Sequence, residues 1–571
     1  MATKVQTAPS RLSSSPEYKS KSSRNSPRSR NGCWTCRTKK VKCDEVRPKC
    51  CRCLRLKLLC DYSPRMKQST ANRLLSDNSR AVTRLSQNPP CAPKLPIPMS
   101  ELANSASSID LTSADHEAIR YYRTTFARLH HTKNPDYGLY AVIFSIAERE
   151  PIVMRVVLAL GGQELEFRKR RSEEKLAGTC TVTPLHHYAA ALRMLAEAVD
   201  GSPGPDGRQL DLDAILAAIF LMLWYEQKFG DASCRGFANH LAGAARVVEH
   251  RCRNDVFKRA LQEPMRQEKK LALVRMGGDA RDRENILSQF SARMLSHLCI
   301  YDSMAAGYGL GGRLVETLSQ ALAFSNSTSL YADKVDSLHG FSYGLYRVVW
   351  AQDYPQEEML DDLENRTIYC LASSVVQLRF MISRLESLES LGVGAAGACL
   401  AEIEAVYEAT HDKFEEIFGI ADALSPSFDS ANRLVANIRQ IVPQYYGTKI
   451  QLARAVRKLG LPSKLPTEDF VGLVMSLCTQ ALRHNGNDAM LSVANALFMA
   501  AIETSDASRR DWFTARFQAL CAYGCNYARA HRLLVRASAA RSRSGIAGPL
   551  GEEEVSAAMY SENGDVERFV I

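Results

Sequence analysis

Six cysteines at one repeated spacing constrain this chain more than anything else in its 571 residues. They run Cys33-x2-Cys36-x6-Cys43-x6-Cys50-x2-Cys53-x6-Cys60, a Cys-x2-Cys-x6-Cys block given twice, 17 residues apart. Thiolates so spaced bind a soft or borderline divalent metal, and zinc is the prediction. One tetrahedral zinc takes four ligands and would strand two cysteines. Two zincs need eight ligand positions, which six thiolates fill only if two of them bridge. The doubled block therefore predicts a two-zinc cluster held by Cys33, Cys36, Cys43, Cys50, Cys53 and Cys60. Every coordination position is a thiolate and none is left for water, so the site is structural and not catalytic. A seventh cysteine, Cys51, is out of register and is read as a free thiol. The other ten have no ligand-like spacing and are read as small buried apolar side chains.

Six thiolates and two Zn²⁺ carry a net charge of −2, and Arg37, Lys39, Lys40, Lys42, Lys49 and Arg52 lie close in sequence to offset it. The basicity is local. Residues 1–67 hold 18 Lys+Arg against 4 Asp+Glu, and the remainder is nearly neutral. A confined basic segment points to a polyanionic partner. The two halves of the cysteine unit also differ. Arg-Thr-Lys-Lys-Val-Lys follows Cys36, whereas leucines occupy 54, 56, 58 and 59 in the second half. A short helix carrying Lys39 and Lys40 suits the major groove of double-stranded DNA, where lysine donates to guanine O6 and N7. Arg37, Lys42, Arg52 and Arg55 suit phosphate contacts, which give affinity without sequence information. The leucine half is expected to pack or to face the linker.

The stretch Gly32-Cys-Trp-Thr-Cys-Arg-Thr-Lys-Lys-Val-Lys-Cys-Asp-Glu, then Arg-Pro-Lys-Cys and Cys53-Leu-Arg-Leu, closely resembles the Zn2Cys6 binuclear-cluster transcription factors of fungi. The resemblance implies that Cys33 and Cys50 bridge the metals. It also implies that Lys39 and Lys40 approach the bases of a CGG-type triplet, Lys40 foremost, and that Pro48 sits in the loop joining the halves. The body resembles the helical regulatory domain of the same family through Ile215-Leu-Ala-Ala-Ile-Phe-Leu-Met-Leu-Trp-Tyr-Glu, Phe229-Gly-Asp and His240-Leu-Ala-Gly-Ala-Ala-Arg-Val-Val. The implied function is sequence-specific regulation of RNA polymerase II genes in the nucleus, the family habit being a metabolic or biosynthetic gene set. The competing reading is a zinc-cluster scaffold whose body recruits other factors and whose DNA contact is non-specific.

The expected fold class is mainly α. Residues 1–31, with nine serines and almost no apolar side chains, read as a disordered basic arm. Residues 32–62 are the cysteine unit, 63–113 a proline-containing linker, 114–538 one large all-helical domain, and 539–571 a flexible tail of acidic and apolar residues. Apolar spacings of three and four place helices near 239–250, 288–306, 367–388, 399–418, 431–441, 470–484 and 512–538. Ala214 to Tyr225 is apolar all round, which reads as a helix buried on every side. At twelve residues it is the longest apolar run, short of the ~20 a spanning helix needs, so no membrane partner is expected. The linker positions Leu75, Asn78, Val82 and Leu85 give only two heptads. Homodimerisation and contact with transcription co-regulators therefore stay open.

Catalytic signatures are absent. There is no His-Glu-x-x-His and no P-loop. Gly307-Tyr-Gly-Leu-Gly-Gly follows a helical stretch and not a strand. His130-His131 and His186-His187 lack partners at ligand spacing. No enzyme is expected.

Overall fold

A computed structural model of the chain describes residues 33, 35–36, 41–47, 49–56, 60, 109–172, 183–199, 210–267, 286–322, 337–387, 393–428, 432–462, 465–545, 547–560 and 564–571. The basic arm, Arg37, Lys39, Lys40, Pro48 and the linker heptads lie outside these residues. The chain forms two compact units, 1–96 and 97–571. Helices make up 79% of the structure, and no strand occurs among the described residues. One isolated antiparallel bridge joins Tyr560 to Val566.

In the first unit, the described apolar cluster consists of cysteines alone. Cys33, Cys36, Cys43, Cys50 and Cys53 are buried, with Cys60 packed against them. A core of sulfur atoms supplies little hydrophobic stabilisation, so this unit depends on what the sulfurs bind. Of the leucine half, expected to pack or to face the linker, Leu54 and Leu56 are exposed, while Leu58, Leu59 and the linker lie outside the described residues.

The second unit has two apolar cores. The first runs from Ala118 to Tyr354 and takes in Val376, Phe380 and Val570. The second runs from Ile368 to Ile571. Helix Leu212–Phe229 is the centre of the first, with every residue from Ala214 to Tyr225 buried. Helix Arg366–Ser387 serves both cores. Ile368, Leu371, Val375, Leu378, Ile382 and Leu385, spaced by three and four, face the second core, while Val376 and Phe380 face the first. This helix has the length and apolarity to cross a membrane, and 67% of that window is packed inside the protein.

Several helix boundaries depart from the periodic pattern. The segment expected as one helix over 399–418 is two, Val393–Lys413 and Glu415–Ala423. The break falls at Phe414, whose N–H is shared between the carbonyls of Thr410 and His411 and whose ring is buried. The helix expected to stop near 441 runs from Arg433 to Lys458, straight through Pro443. Proline there removes one helical hydrogen bond. Burial of Ile438, Val442, Tyr445 and Ile450 on the same helix outweighs that loss. The span 512–538 is broken at Cys521–Tyr523, between helices Ala507–Leu520 and Cys525–Ser544. Gly524 sits at the break because the chain passes the backbone of Lys228 there. A Cβ on Gly524 would lie 2.9 Å from the Lys228 Cα.

The C-terminal tail is not flexible where it is described. Helix Cys525–Ser544 extends past 538, helix Glu552–Ala558 follows, and Phe569, Val570 and Ile571 are buried. Three of its acidic residues, Glu552, Glu554 and Glu567, have cationic partners inside the unit. Arg541 meets Glu554 at 2.7 Å, Arg454 meets Glu552 at 2.7 Å, and Arg532 and Arg536 hold Glu567 at 2.7 and 2.9 Å. Phe569, Val570 and Ile571 belong to the cores and Val555 and Met559 pack against the second, whereas Tyr560 and Val566 are exposed.

The body cysteines are mixed: Cys234, Cys299 and Cys478 are buried, whereas Cys252, Cys370, Cys399, Cys521 and Cys525 are partly exposed. His130 packs on Trp224, ring centres 4.0 Å apart, and His187 Nε2 lies 3.0 Å from Asp115. The glycine-rich stretch after Ala306 is a connector between helices Gln289–Ala306 and Arg313–Leu322. Asp302, fully buried, caps the second of these by accepting from Val315 N–H at 2.9 Å. Gly311 passes so close that a Cβ would lie 2.4 Å from the Asp302 carbonyl oxygen.

Burial raises the Asp302 carboxyl from the ordinary 3.8 to about 6, against the lowering effect of the backbone N–H groups. Between these two values the folded protein holds a proton that the unfolded chain has lost. This contribution to stability is therefore present below pH 3.8 and lost as pH rises through about 6. Asp302→Asn keeps an acceptor for Val315 and removes the titration. In urea unfolding at a series of pH values, the stability loss between pH 4 and 6 should shrink by up to about 1.4 kcal/mol per pH unit. An unchanged slope would contradict this role for Asp302.

Candidate metal and nucleic-acid site

The cysteine repeat folds as a repeat. Cys36 N–H donates to Cys33 Sγ at 3.4 Å, and 17 residues on Cys53 N–H donates to Cys50 Sγ at 3.3 Å. Likewise Cys33 N–H donates to Cys43 Sγ at 3.4 Å, and Cys50 N–H to Cys60 Sγ at 3.2 Å. Each half thus wraps its own sulfurs with backbone donors, which favour the thiolate form. Helix Cys51–Arg55 begins at Cys50, whose sulfur caps it.

The six sulfurs gather into two sets of four. Cys33, Cys36, Cys43 and Cys50 form one, and Cys33, Cys50, Cys53 and Cys60 the other, each within 4.8 Å. Cys33 and Cys50 belong to both. Within these sets, the Cys33–Cys50, Cys33–Cys53 and Cys36–Cys50 sulfurs are 3.8, 3.7 and 3.8 Å apart. A zinc tetrahedron with ~2.3 Å bonds to sulfur has edges of about 3.8 Å. The donor set and its spacing therefore fit zinc. Burial pushes the Cys36 thiol up to about 12, so a thiolate there calls for a neighbouring cation. Cys51 belongs to neither set and is exposed.

Asp44 escaped the reading of the cysteine pattern. Its carboxylate accepts from Val46 N–H at 3.2 Å, Cys51 N–H at 3.2 Å and Arg52 N–H at 3.3 Å. A side chain of the first half thereby caps the helix of the second. The signal was present in the repeat, since Cys-Asp recurs at 43–44 and 60–61.

Of the basic residues singled out from the sequence, Lys42 and Arg55 are exposed and Arg52 is half-buried. Arg52 and Arg55 lie in the last turn of helix Cys51–Arg55, where cations complement the helix dipole. Arg37, Lys39 and Lys40 fall outside the described residues.

Comparison with known proteins places both units. Residues 31–69 match the fungal Zn(2)-Cys(6) binuclear cluster domain, and residues 117–349 match the fungal specific transcription factor domain. The two segments are thus similar to two domains of fungal transcription factors. Zinc-cluster domains of this type bind two zinc ions. The second match coincides with the first apolar core of the helical unit, and the core from Ile368 onward lies beyond it.

Curated relatives are similar over short stretches. Transcription factor lfc1 of Flammulina velutipes is 38% identical over 100 residues, 14% of this chain and 36% of the relative. Transcriptional regulatory protein UME6 of Saccharomyces cerevisiae is 63% identical over 35 residues, 6% of this chain and 4% of the relative. Sterol uptake control protein 2 of Candida albicans is 60% identical over 35 residues, 6% and 5% of the two chains. The chain thus spans at most about a third of the length of these relatives. No solved structure matches.

Proposed function

We propose that this protein is a sequence-specific DNA-binding regulator of RNA polymerase II genes, acting in the nucleus and not as an enzyme. The observation that carries the reading is the pair of four-sulfur sets sharing Cys33 and Cys50. Two zinc ions held by Cys33, Cys36, Cys43, Cys50, Cys53 and Cys60, with Cys33 and Cys50 bridging, would tie the two halves into one rigid module. The metal supplies cross-linking and charge neutralisation. The protein's own cations do the recognition. Lys39 and Lys40 read a CGG-type triplet in the major groove, and Arg37, Lys42, Arg52 and Arg55 hold phosphates.

A reader and a non-specific phosphate binder respond differently to salt. Four phosphate contacts predict a slope of log K against log salt of about −3.6, shared by CGG-containing and scrambled duplexes. Preference for the CGG duplex should persist as affinity falls. Lys40→Ala should lose that preference, roughly ten- to a hundredfold, at a nearly unchanged slope. Fluorescence anisotropy of the full-length zinc-loaded protein measures both. Equal affinity for the two duplexes at every salt concentration would refute base reading.

A further inference from the structure

The helical unit contains a cavity of about 190 Å³ where helices Gln289–Ala306, Arg366–Ser387 and Arg433–Lys458 meet. Its lining includes two arginines, Arg293 and Arg379, and no aspartate or glutamate. Both arginines are buried, at 5% and 2% exposure. Arg379 Nη2 donates to Gln444 Oε1 at 3.1 Å, while its Nε and Nη1 are buried without an acceptor. Arg293 Nη2 donates to the Ser342 carbonyl at 3.2 Å, and its Nε has no acceptor. Among the described residues, neither guanidinium pairs with a carboxylate.

Several other buried cations of this unit are paired with carboxylates: Lys228 meets Glu164, Lys133 meets Glu358 and Asp362, Arg433 meets Asp361, and Arg454 meets Glu503. Buried Arg510 and Arg529 donate to uncharged oxygens instead, and no buried nitrogen of theirs lacks an acceptor. Arg293 also lies over the rings of Tyr343 and Tyr346, at 5.5 and 5.7 Å. A buried charge without a counter-charge costs several kcal/mol, so two lining one cavity call for an anion from elsewhere. Burial pulls the Arg379 guanidinium down to about 10, as expected of a cation without a counter-ion.

The remaining walls describe the rest of the ligand. His130, His131, His297 and His339 also line the cavity, and burial holds each well below its ordinary value, so all four are neutral. The Nε2 atoms of His130 and His297 have no partner. Neutral imidazoles offer hydrogen bonds without charge. A metal cation is disfavoured by the two guanidiniums. Ile300, Val375, Val376 and Ile441 add apolar surface to the lining. A larger cleft of about 520 Å³ shares His130, His131, Gln440 and Gln444 with it.

We propose that this cavity binds a small organic anion, its acidic group held by Arg379 and Arg293 and its hydrocarbon part against the Ile300, Val376 and Ile441 side chains. Bound there, the anion would join the first apolar core to the second. This proposal is independent of the DNA-reading function.

The test uses full-length zinc-loaded protein in low-salt buffer at matched ionic strength, with benzoate, succinate or inorganic phosphate as probe. Thermal melting and calorimetric titration read binding. At least one probe should raise the melting temperature saturably, by binding the folded state alone. Arg379→Met should weaken that probe at least about tenfold, because it removes a charge-assisted contact, and Arg379→Lys should weaken it less. Without probe, Arg379→Met should melt no lower than the parent protein, since it deletes an unpaired buried charge. Arg293→Met supplies a second variant should the first not fold. Binding of phosphate but of neither carboxylate would keep the anion site and assign it to phosphate esters. No shift with any probe, or a shift unchanged in both Arg379→Met and Arg293→Met, would overturn the proposal.

Discussion

Chelation of zinc should unfold residues 33–60, abolish DNA binding, and leave the melting of the helical unit where it was. The reason lies in what the first unit is made of. Its described apolar cluster is six cysteines and nothing else. Such a unit has no hydrophobic stabilisation to fall back on. Structural zinc supplies on the order of 10 kcal/mol of folding free energy in domains of this kind. The helical unit draws on two large apolar cores and requires no metal for them.

The sulfur sets make the prediction graded. Cys33 and Cys50 belong to both sets, whereas Cys36, Cys43, Cys53 and Cys60 each belong to one. Cys50→Ser should therefore lose both metals, while Cys43→Ser or Cys60→Ser should compromise one site first. Cys51→Ser, altering a residue in neither set, should retain two zincs per chain. Metal content by mass spectrometry and circular dichroism of the cysteine unit check this series. Full zinc content in Cys50→Ser would contradict the bridging assignment.

The second large effect is expected in the helical unit. Glu164 on helix Pro151–Ser172 and Lys228 on helix Leu212–Phe229 form an ion pair with side chains 2% and 0% exposed. Glu164 also accepts from the Tyr121 hydroxyl at 3.0 Å. Lys228 lies over the Phe126 ring, 5.5 Å from its centre. Burial draws Lys228 below its ordinary value, and Glu164 opposes that shift. Glu164→Gln leaves a buried ammonium without its counter-charge, which costs about 3–5 kcal/mol. Removing both charges, as in Glu164→Leu with Lys228→Met, should restore much of the loss, because the desolvation penalty leaves with the ions. An exposed pair such as Arg266–Glu263 should cost about 1 kcal/mol or less on Arg266→Ala. Urea unfolding ranks the variants. A Glu164→Gln protein as stable as its parent would contradict the account of this pair.

Much of this molecule was legible before its structure. The cysteine spacing carried the six candidate ligands and the number of metals, because tetrahedral coordination restricts how six thiolates can be used. The helix Leu212–Phe229 announced its burial by being apolar on every side. What escaped depended on tertiary contacts that no local pattern encodes. Phe414 breaks a periodic segment to bury its own ring. Pro443 stays inside a helix because the packed residues around it outweigh one lost hydrogen bond. Gly524 is dictated by the backbone of Lys228, far away in sequence. The tail read as flexible because its acids and apolar residues look solvated without Arg541, Arg454, Arg532 and Arg536 beside them. Arg379 sits at an ordinary helical position, and its lack of a counter-charge exists only in three dimensions.

The central claim is that the cysteine unit reads DNA sequence. Genome-wide occupancy of the tagged protein, with a Lys40→Ala version beside it, tests that most directly. Discrete peaks over CGG-containing promoters, lost in the variant, are the predicted result, and the number and spacing of triplets beneath them would give the oligomeric state on DNA. Diffuse or absent occupancy, or peaks unchanged by Lys40→Ala, would contradict the account and move the function to the helical unit.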